Sequence, residues 1–285
     1  MDILITGAGG FLGRRVASRF RARSHKVLGL DVPGSPGHIE LAIDLARVSA
    51  AEFERLVPAI DAVVHLASIV DFAPEFSARL NEVNVLGTQK VARLAGTRKA
   101  LMIFTSSVSV HAVAEASIGR ETPVSPSQPY GVSKWLGERI VEESGAKSLI
   151  LRPAGMIGYH GPSHLRFNRT IHAAATEGTI PVVMGRGAGR RNYAYVGDVA
   201  DAIVEAAERG TQGLEYYGGR DPLSVAEMAR QICDVFLPGR TPRFEEGPEA
   251  TDQIVEVSRN LKTPRTFNEA LSEMKEEYAA NRAAQ

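Results

Sequence analysis

Three glycines spaced three apart, Gly7, Gly10 and Gly13, follow the apolar run Ile3-Leu4-Ile5, and they constrain this chain more than any other feature. A strand that turns on glycine and opens a helix presents unpaired N–H groups and partial positive charge at the helix N-terminus. A pyrophosphate suits that turn. Gly7 would permit the bend, Gly10 would let a ligand approach the backbone, and Gly13 would let helix and strand pack closely. Phe11 and Leu12 complete the turn. The pattern is short and glycines are common, so the rest of the chain decides its weight.

Strand-like runs at 3–6, 26–30, 62–66, 101–105 and 148–151 alternate with helix-like stretches at 11–21, 50–57, 76–95 and 130–143. A short run at 39–43 fits a further strand. Such alternation predicts an α/β fold, a parallel sheet covered by helices on both faces. Ligands on such sheets lie at the carboxyl ends of the strands. The glycine turn, Asp31, Leu66-Ala67-Ser68 and Ser106-Ser107 all fall at predicted strand ends. In the second half, 164–177, 197–209, 225–236 and 268–284 are helix-like, and 180–184 and 214–217 strand-like. Ser224 and Glu227 have capping-box spacing. Residues 193–207 are expected to return to the main sheet, so no independent domain boundary stands out.

The chain has 285 residues, with 33 basic and 33 acidic, so its formal net charge is zero. That argues against a general nucleic-acid binder. One cysteine, Cys233, excludes an intrachain disulfide and a cysteine-cluster zinc site. The histidines are scattered without ligand spacing, so no metal is expected. No apolar run reaches the length of a membrane helix, and no secretion signal is visible. A cytoplasmic location is the expectation.

Asp31 lies 21 residues after Gly10. A carboxylate there can accept from adenosine ribose hydroxyls and would repel a 2′-phosphate, favouring NAD over NADP. It can equally start the turn Asp-Val-Pro-Gly. Asp44, followed by Leu45, can bond an adenine amino group or cap a helix. Tyr130 and Lys134 are four apart, and Pro129 suits a helix start. Residues i and i+4 share a helix face, so both side chains can enter one site. A phenol with a pKa near 10 is a poor base at neutral pH. A nearby ammonium and the cationic nicotinamide of NAD⁺ would both favour the phenolate, so Tyr130 could exchange a proton with an alcohol as hydride leaves its carbon. A hydroxyl from Ser106 or Ser107 could hold the substrate oxygen.

Together these residues resemble the extended short-chain dehydrogenase/reductases, the NAD-dependent epimerase/dehydratase group. Thr6-Gly-Ala-Gly-Gly-Phe-Leu-Gly13 is similar to its T-G-x-x-G-x-x-G, and Asp61-Ala-Val-Val-His-Leu-Ala-Ser68 to its D-x-V-x-H-L-A-A. Asn84-Val-Leu-Gly-Thr88, Phe104-Thr-Ser-Ser-Val-Ser-Val-His111, Tyr130–Lys134, Leu151-Arg-Pro153 and the stretch 189–198 match in order. The resemblance implies a Rossmann-type sheet over 1–152 and a small substrate lobe over 153–285, with segments returning to the sheet. It implies catalysis by Ser107, Tyr130 and Lys134. It adds Leu45, Leu66, Ala67, Ser68, Asn84, Thr105, Ser106 and Pro153 to the NAD contacts already named, and sets Arg191 against a substrate phosphate. A solvated arginine is the other reading of Arg191. Tyr159 and Asn168 are further substrate candidates, with ordinary lobe surface the alternative.

Departures narrow the activity. Dehydratases of the group carry Asp-Glu where Val108 and Ser109 stand here, which disfavours water elimination. His111 replaces the usual tyrosine, and Gly155 an asparagine common in nucleotide-sugar enzymes. Leu-Arg-Pro-Ala-Gly is also similar to the 3β-hydroxysteroid dehydrogenase branch. The leading expectation is an NAD-dependent oxidoreductase or epimerase acting on a secondary alcohol or ketone, of a nucleotide sugar. A hydroxysteroid-type dehydrogenase and a non-catalytic NAD-sensing protein are the alternatives. The resemblance also implies a homodimer through helices 76–95 and 130–143.

Overall fold

The computed structural model of the chain describes residues 1–71 and 73–283. Seven strands form the main sheet: β1 Asp2–Thr6, β2 Lys26–Asp31, β3 Leu41–Ala42, β4 Ala62–His65, β5 Leu101–Thr105, β6 Ser148–Pro153 and β7 Gly213–Tyr217. Their order is β7-β6-β5-β4-β1-β2-β3, and every pairing is parallel. The chain builds outward from β1 to β3 and then crosses back to β4 on the other side of β1. That switch opens a crevice at the carboxyl ends of β1 and β4, where the glycine turn and residues 66–68 lie.

The apolar runs read as strands because both faces are buried. Alternate residues of β1 point opposite ways. Ile3 and Ile5 pack with Val16 and Phe20 of α1 (Gly13–Ala22) and with Val199 and Ile203 of a helix over Val196–Arg209. Leu4 packs on the other face with Phe53, Val91, Leu94 and Val141. The last three come from helices Gly87–Arg98 and Pro129–Glu143.

Two expectations are corrected in detail. The run 39–43 yields only the two-residue β3. The helix expected over 76–95 begins at Ala78, widens into a π-helical stretch Asn81–Leu86, and continues as Gly87–Arg98. The widened turns carry Asn84 inward, where it is buried.

Beyond Pro153 the chain forms helices and two-stranded ladders. Met156–Ile157 pairs with Ala194–Tyr195, and Val182–Met184 pairs with Arg243–Glu245. Ser224 and Glu227 form the capping box of helix Val225–Phe236. The return to the main sheet is made by β7, after helix Val196–Arg209 has covered β1. Asp198 accepts from the Arg265 guanidinium and its N–H, tying the last segment to that helix. The last helix, Phe267–Ala283, matches its expected place; residue 284 lies outside the described residues.

Candidate active site

Gly7 ends β1 with φ +71°. A Cβ on Gly13 would sit 1.9 Å from the Gly7 carbonyl, so helix and turn fit only with glycine there. A Cβ on Gly10 would meet only the Gly7 carbonyl, at 3.1 Å, which leaves its other side open. The first turn of α1 has no acidic residue and no side-chain cap. Gly7, Gly10, Asp31, Asp44, Leu45, Leu66, Ala67 and Ser68 all line one cavity at this end of the sheet. Phe11 and Leu12 carry the turn into α1, and Leu12 is buried.

Asp31 accepts from Gly9 N–H at 2.9 Å and Val32 N–H at 2.8 Å. A carboxylate has acceptor sites beyond these two, so it can serve the turn and a ribose together. Asp44 has both of its sequence-level roles in part. It accepts from Ala46 N–H and lies 3.3 Å from Arg79, yet it lines the cavity.

A chain of buried hydrogen bonds joins this end to helix Pro129–Glu143. The Thr88 hydroxyl donates to the Asn84 carbonyl at 2.6 Å. That spends its proton, so toward His65 Nε2, 2.9 Å away, it accepts. His65 Nδ1 then accepts from Thr6 Oγ1 at 2.6 Å. Burial pulls the His65 pKa down to about 3, which keeps this neutral tautomer. Asn84 Nδ2 donates to Ser133 Oγ at 3.0 Å, and Ser133 donates to the Tyr130 carbonyl at 2.7 Å.

Tyr130 and Ser107 meet at the cleft, and Lys134 lies one turn further along the same helix, Pro129–Glu143. Gly131 makes this possible: a Cβ there would sit 2.0 Å from the Ser109 carbonyl, so the helix can press onto the 107–110 turn. The Tyr130 hydroxyl is hydrogen-bonded to Ser107 and Ser68. Lys134 is buried with its ammonium 4.4 Å from the centre of the Phe104 ring. Burial acts on the titration of both groups. Burial pushes Tyr130 up to about 12 and Lys134 down to about 7, the latter opposed by Glu138. The phenol is therefore held protonated, because burial outweighs its two serine hydrogen bonds.

Four of the expected contact residues carry hydrogen bonds or ring contacts within the protein itself. The Asn84 amide is bonded to Ile69 and Ser133. Ser106 Oγ donates to Glu138 at 2.5 Å. Asn168 is buried, with its amide bonded to Gly158, Met156 and Pro162. The Tyr159 ring packs edge-on against Tyr278, and neither Tyr159 nor Asn168 lines the cleft beside Tyr130. Pro153 does line it, with Ser107. Thr105 Oγ1, at the end of β5, is buried with no hydrogen-bond partner among the described residues.

Sequence reasoning missed a buried ion pair under the site. Arg152 donates to both Glu138 oxygens, at 2.8 and 2.5 Å, and to Tyr216 OH at 2.5 Å. His111 Nδ1 lies 2.8 Å from the Pro123 carbonyl and Nε2 2.9 Å from Tyr216 OH, so His111 is a structural member of this network. The signal was present: Glu138 follows Lys134 by four on the same helix face. A second cavity adjoins the cleft, lined by Arg166, Arg191, Tyr193 and Pro181. The two share a wall, since Arg191 donates to Gln253 Oε1 at 3.1 Å and Gln253 lines the cleft.

Residues 3–217 match the sequence model of the NAD dependent epimerase/dehydratase family. The chain belongs to that family. It is 30% identical over 273 residues to a UDP-glucose 4-epimerase of Mycolicibacterium smegmatis, covering 86% of this chain and 85% of the relative. It is 25% identical over 257 residues to a 3 beta-hydroxysteroid dehydrogenase/Delta 5-->4-isomerase of Mycobacterium tuberculosis, covering 81% and 68%. A crystal structure of UDP-glucuronic acid 4-epimerase from Bacillus cereus in complex with NAD superposes with a TM-score of 0.80 at 20% identity, covering 98% of this chain and 99% of that one. Membership makes the chain an NAD-dependent epimerase or dehydrogenase, and the site fits the cofactor. The open Gly10, the uncapped α1 and the unpartnered Thr105 hydroxyl are what a dinucleotide laid across the β1–β4 crevice would use. Among the described residues, no helix is long and apolar enough to cross a membrane.

Proposed function

We propose that the protein oxidises or reduces a secondary alcohol or ketone of a nucleotide-linked sugar, or epimerises it when the intermediate is retained. The observation that carries this reading is the Ser107–Tyr130–Lys134 cluster beside a cavity holding Arg166 and Arg191. Two guanidiniums suit a diphosphate. Bound NAD would supply the hydride acceptor. The turn at residues 7–13 and Asp31 would hold its pyrophosphate and adenosine ribose, and Lys134 its nicotinamide ribose. Ser107 orients the substrate oxygen. Tyr130, protonated in the resting chain, delivers its proton to that oxygen in the reducing direction and receives it in the oxidising one.

The test is NADH absorbance with UDP- and dTDP-sugars. Tyr130→Phe is expected to cut kcat by about 100-fold or more while NAD still binds. Turnover like that of the wild type would sink the assignment. Arg191→Ala is expected to raise KM for nucleotide sugars with little change in kcat, as loss of uniform binding does.

Val70, Val108 and Val113 also line the cleft beside Tyr130, which favours one second reading, a nucleotide-free apolar alcohol. It predicts turnover of cyclic alcohols and no effect of Arg191→Ala. Two copies are proposed to pair through helices Gly87–Arg98 and Pro129–Glu143, whose groove exposes Gln89, Arg93 and Glu143. A monomer by light scattering removes that idea.

A further inference from the structure

The cleft at Tyr130 has walls that a fully hydroxylated sugar would not choose. Val70 and Val113 flank it while 44% and 59% exposed, among the most exposed large apolar side chains described. Val108, Met156 and Leu165 continue the wall. Three of the polar side chains that reach the same space are engaged by the protein itself, while Ser109, Ser127, Gln128 and His164 also line it. Ser106 is held by Glu138, His111 by Pro123 and Tyr216, and Gln253 Oε1 by Arg191. Gly155 adds no polar group, and a side chain there would come within 3.0 Å of the Tyr193 ring. A substrate hydroxyl pressed on the side chains of Val70, Val113, Val108, Met156 and Leu165 would lose water without gaining a partner from them, which is unfavourable. A methyl in the same place would bury apolar surface, which is favourable.

We infer that the cleft selects a deoxygenated substrate, one that carries methyl or methylene groups around the reacting carbon where an ordinary hexose carries hydroxyls. Val70 and Val113 are its specificity-determining residues. The inference rests on the reading above that Tyr130 marks the reacting end, and it narrows the substrate class. Both valines stand at the exposed mouth, so changing them leaves the fold and the proton-transfer groups alone.

The experiment pairs a nucleotide hexose with its 6-deoxy counterpart. Binding is measured by calorimetry to the Tyr130→Phe variant with NAD⁺ present, so preference is read without chemistry. Turnover of the wild type is measured separately. The 6-deoxy form is expected to bind about 10-fold tighter or more, the scale of discrimination by one apolar group. Val70→Thr and Val113→Thr are each expected to reduce that ratio at least about threefold. Equal binding of the pair, or a ratio that neither variant changes, overturns the inference. A clear binding preference with no turnover supports it while defeating the proton-transfer assignment, so the two failures are distinguishable.

Discussion

Glu138 is the residue on which most hydrogen bonds beneath the candidate site converge. Its carboxylate accepts from Ser106 and Arg152 and counters the loss of charge that burial imposes on Lys134. Glu138→Gln would leave the Arg152 guanidinium buried beside a neutral amide. Removing one partner of a buried pair typically costs about 3–5 kcal/mol. Denaturant unfolding is expected to show a loss of that order. The pH profile separates this from mere destabilisation: without the carboxylate, the Lys134 limb of kcat/KM should move to lower pH. A limb that stays in place would leave Glu138 a purely structural residue. Asp31 offers a second residue-level test. Asp31→Asn keeps an acceptor for Gly9 N–H but removes the charge that repels a 2′-phosphate. The ratio of NAD to NADP affinity is expected to fall about 10-fold or more, and an unchanged ratio would assign Asp31 to the turn alone.

At the scale of elements, the glycine positions decide how closely the parts meet. Gly131→Ala would drive a Cβ into the Ser109 carbonyl and push helix Pro129–Glu143 off the 107–110 turn. A large fall in kcat is expected, with NAD affinity nearly kept, because the glycine turn at 7–13 lies elsewhere. Equal losses of both would mean that the whole sheet edge moves. The strands and helices of the first half were legible because a strand buried on both faces shows as an apolar run and a covering helix as a periodic one. Tyr130 and Lys134 were legible because helical spacing alone puts them on one face. The π-helical stretch at 81–86 was not, since no periodicity marks an extra residue per turn. Nor was the sealing of Asn84, Ser106 and Asn168 into the protein's own hydrogen bonds. Sequence shows a polar residue near the site, but only packing shows what satisfies it. The valine walls were missed for a related reason, since they come from loops that no period describes.

Over the whole molecule, burying the site sets how stability depends on pH. His65 binds a proton near 6.5 when unfolded but only near 3 in the fold. Lys134 binds one near 10.5 when unfolded but only near 7 in the fold. In each window the unfolded chain holds more protons, so unfolding becomes harder as pH rises, by up to about 1.4 kcal/mol per pH unit for a full proton difference. Tyr130 acts oppositely between about 10 and 12, where the fold keeps a proton that the unfolded chain loses. The expected profile therefore climbs from acid through neutrality and is still climbing above pH 7, where ordinary carboxylates have finished titrating. Lys134→Met isolates the upper part of that climb. It replaces a buried amine by an apolar chain of similar length, which keeps the contact with the Phe104 ring while removing the titration. Urea unfolding at pH 7, 8 and 9 is expected to show a rising stability in the wild type and a flatter one in the variant. The variant should also be the more stable at pH 7, because the fold no longer holds an ammonium away from water. If the two slopes coincide, Lys134 is not the group titrating, and its low ammonium pKa is not a property of the folded chain.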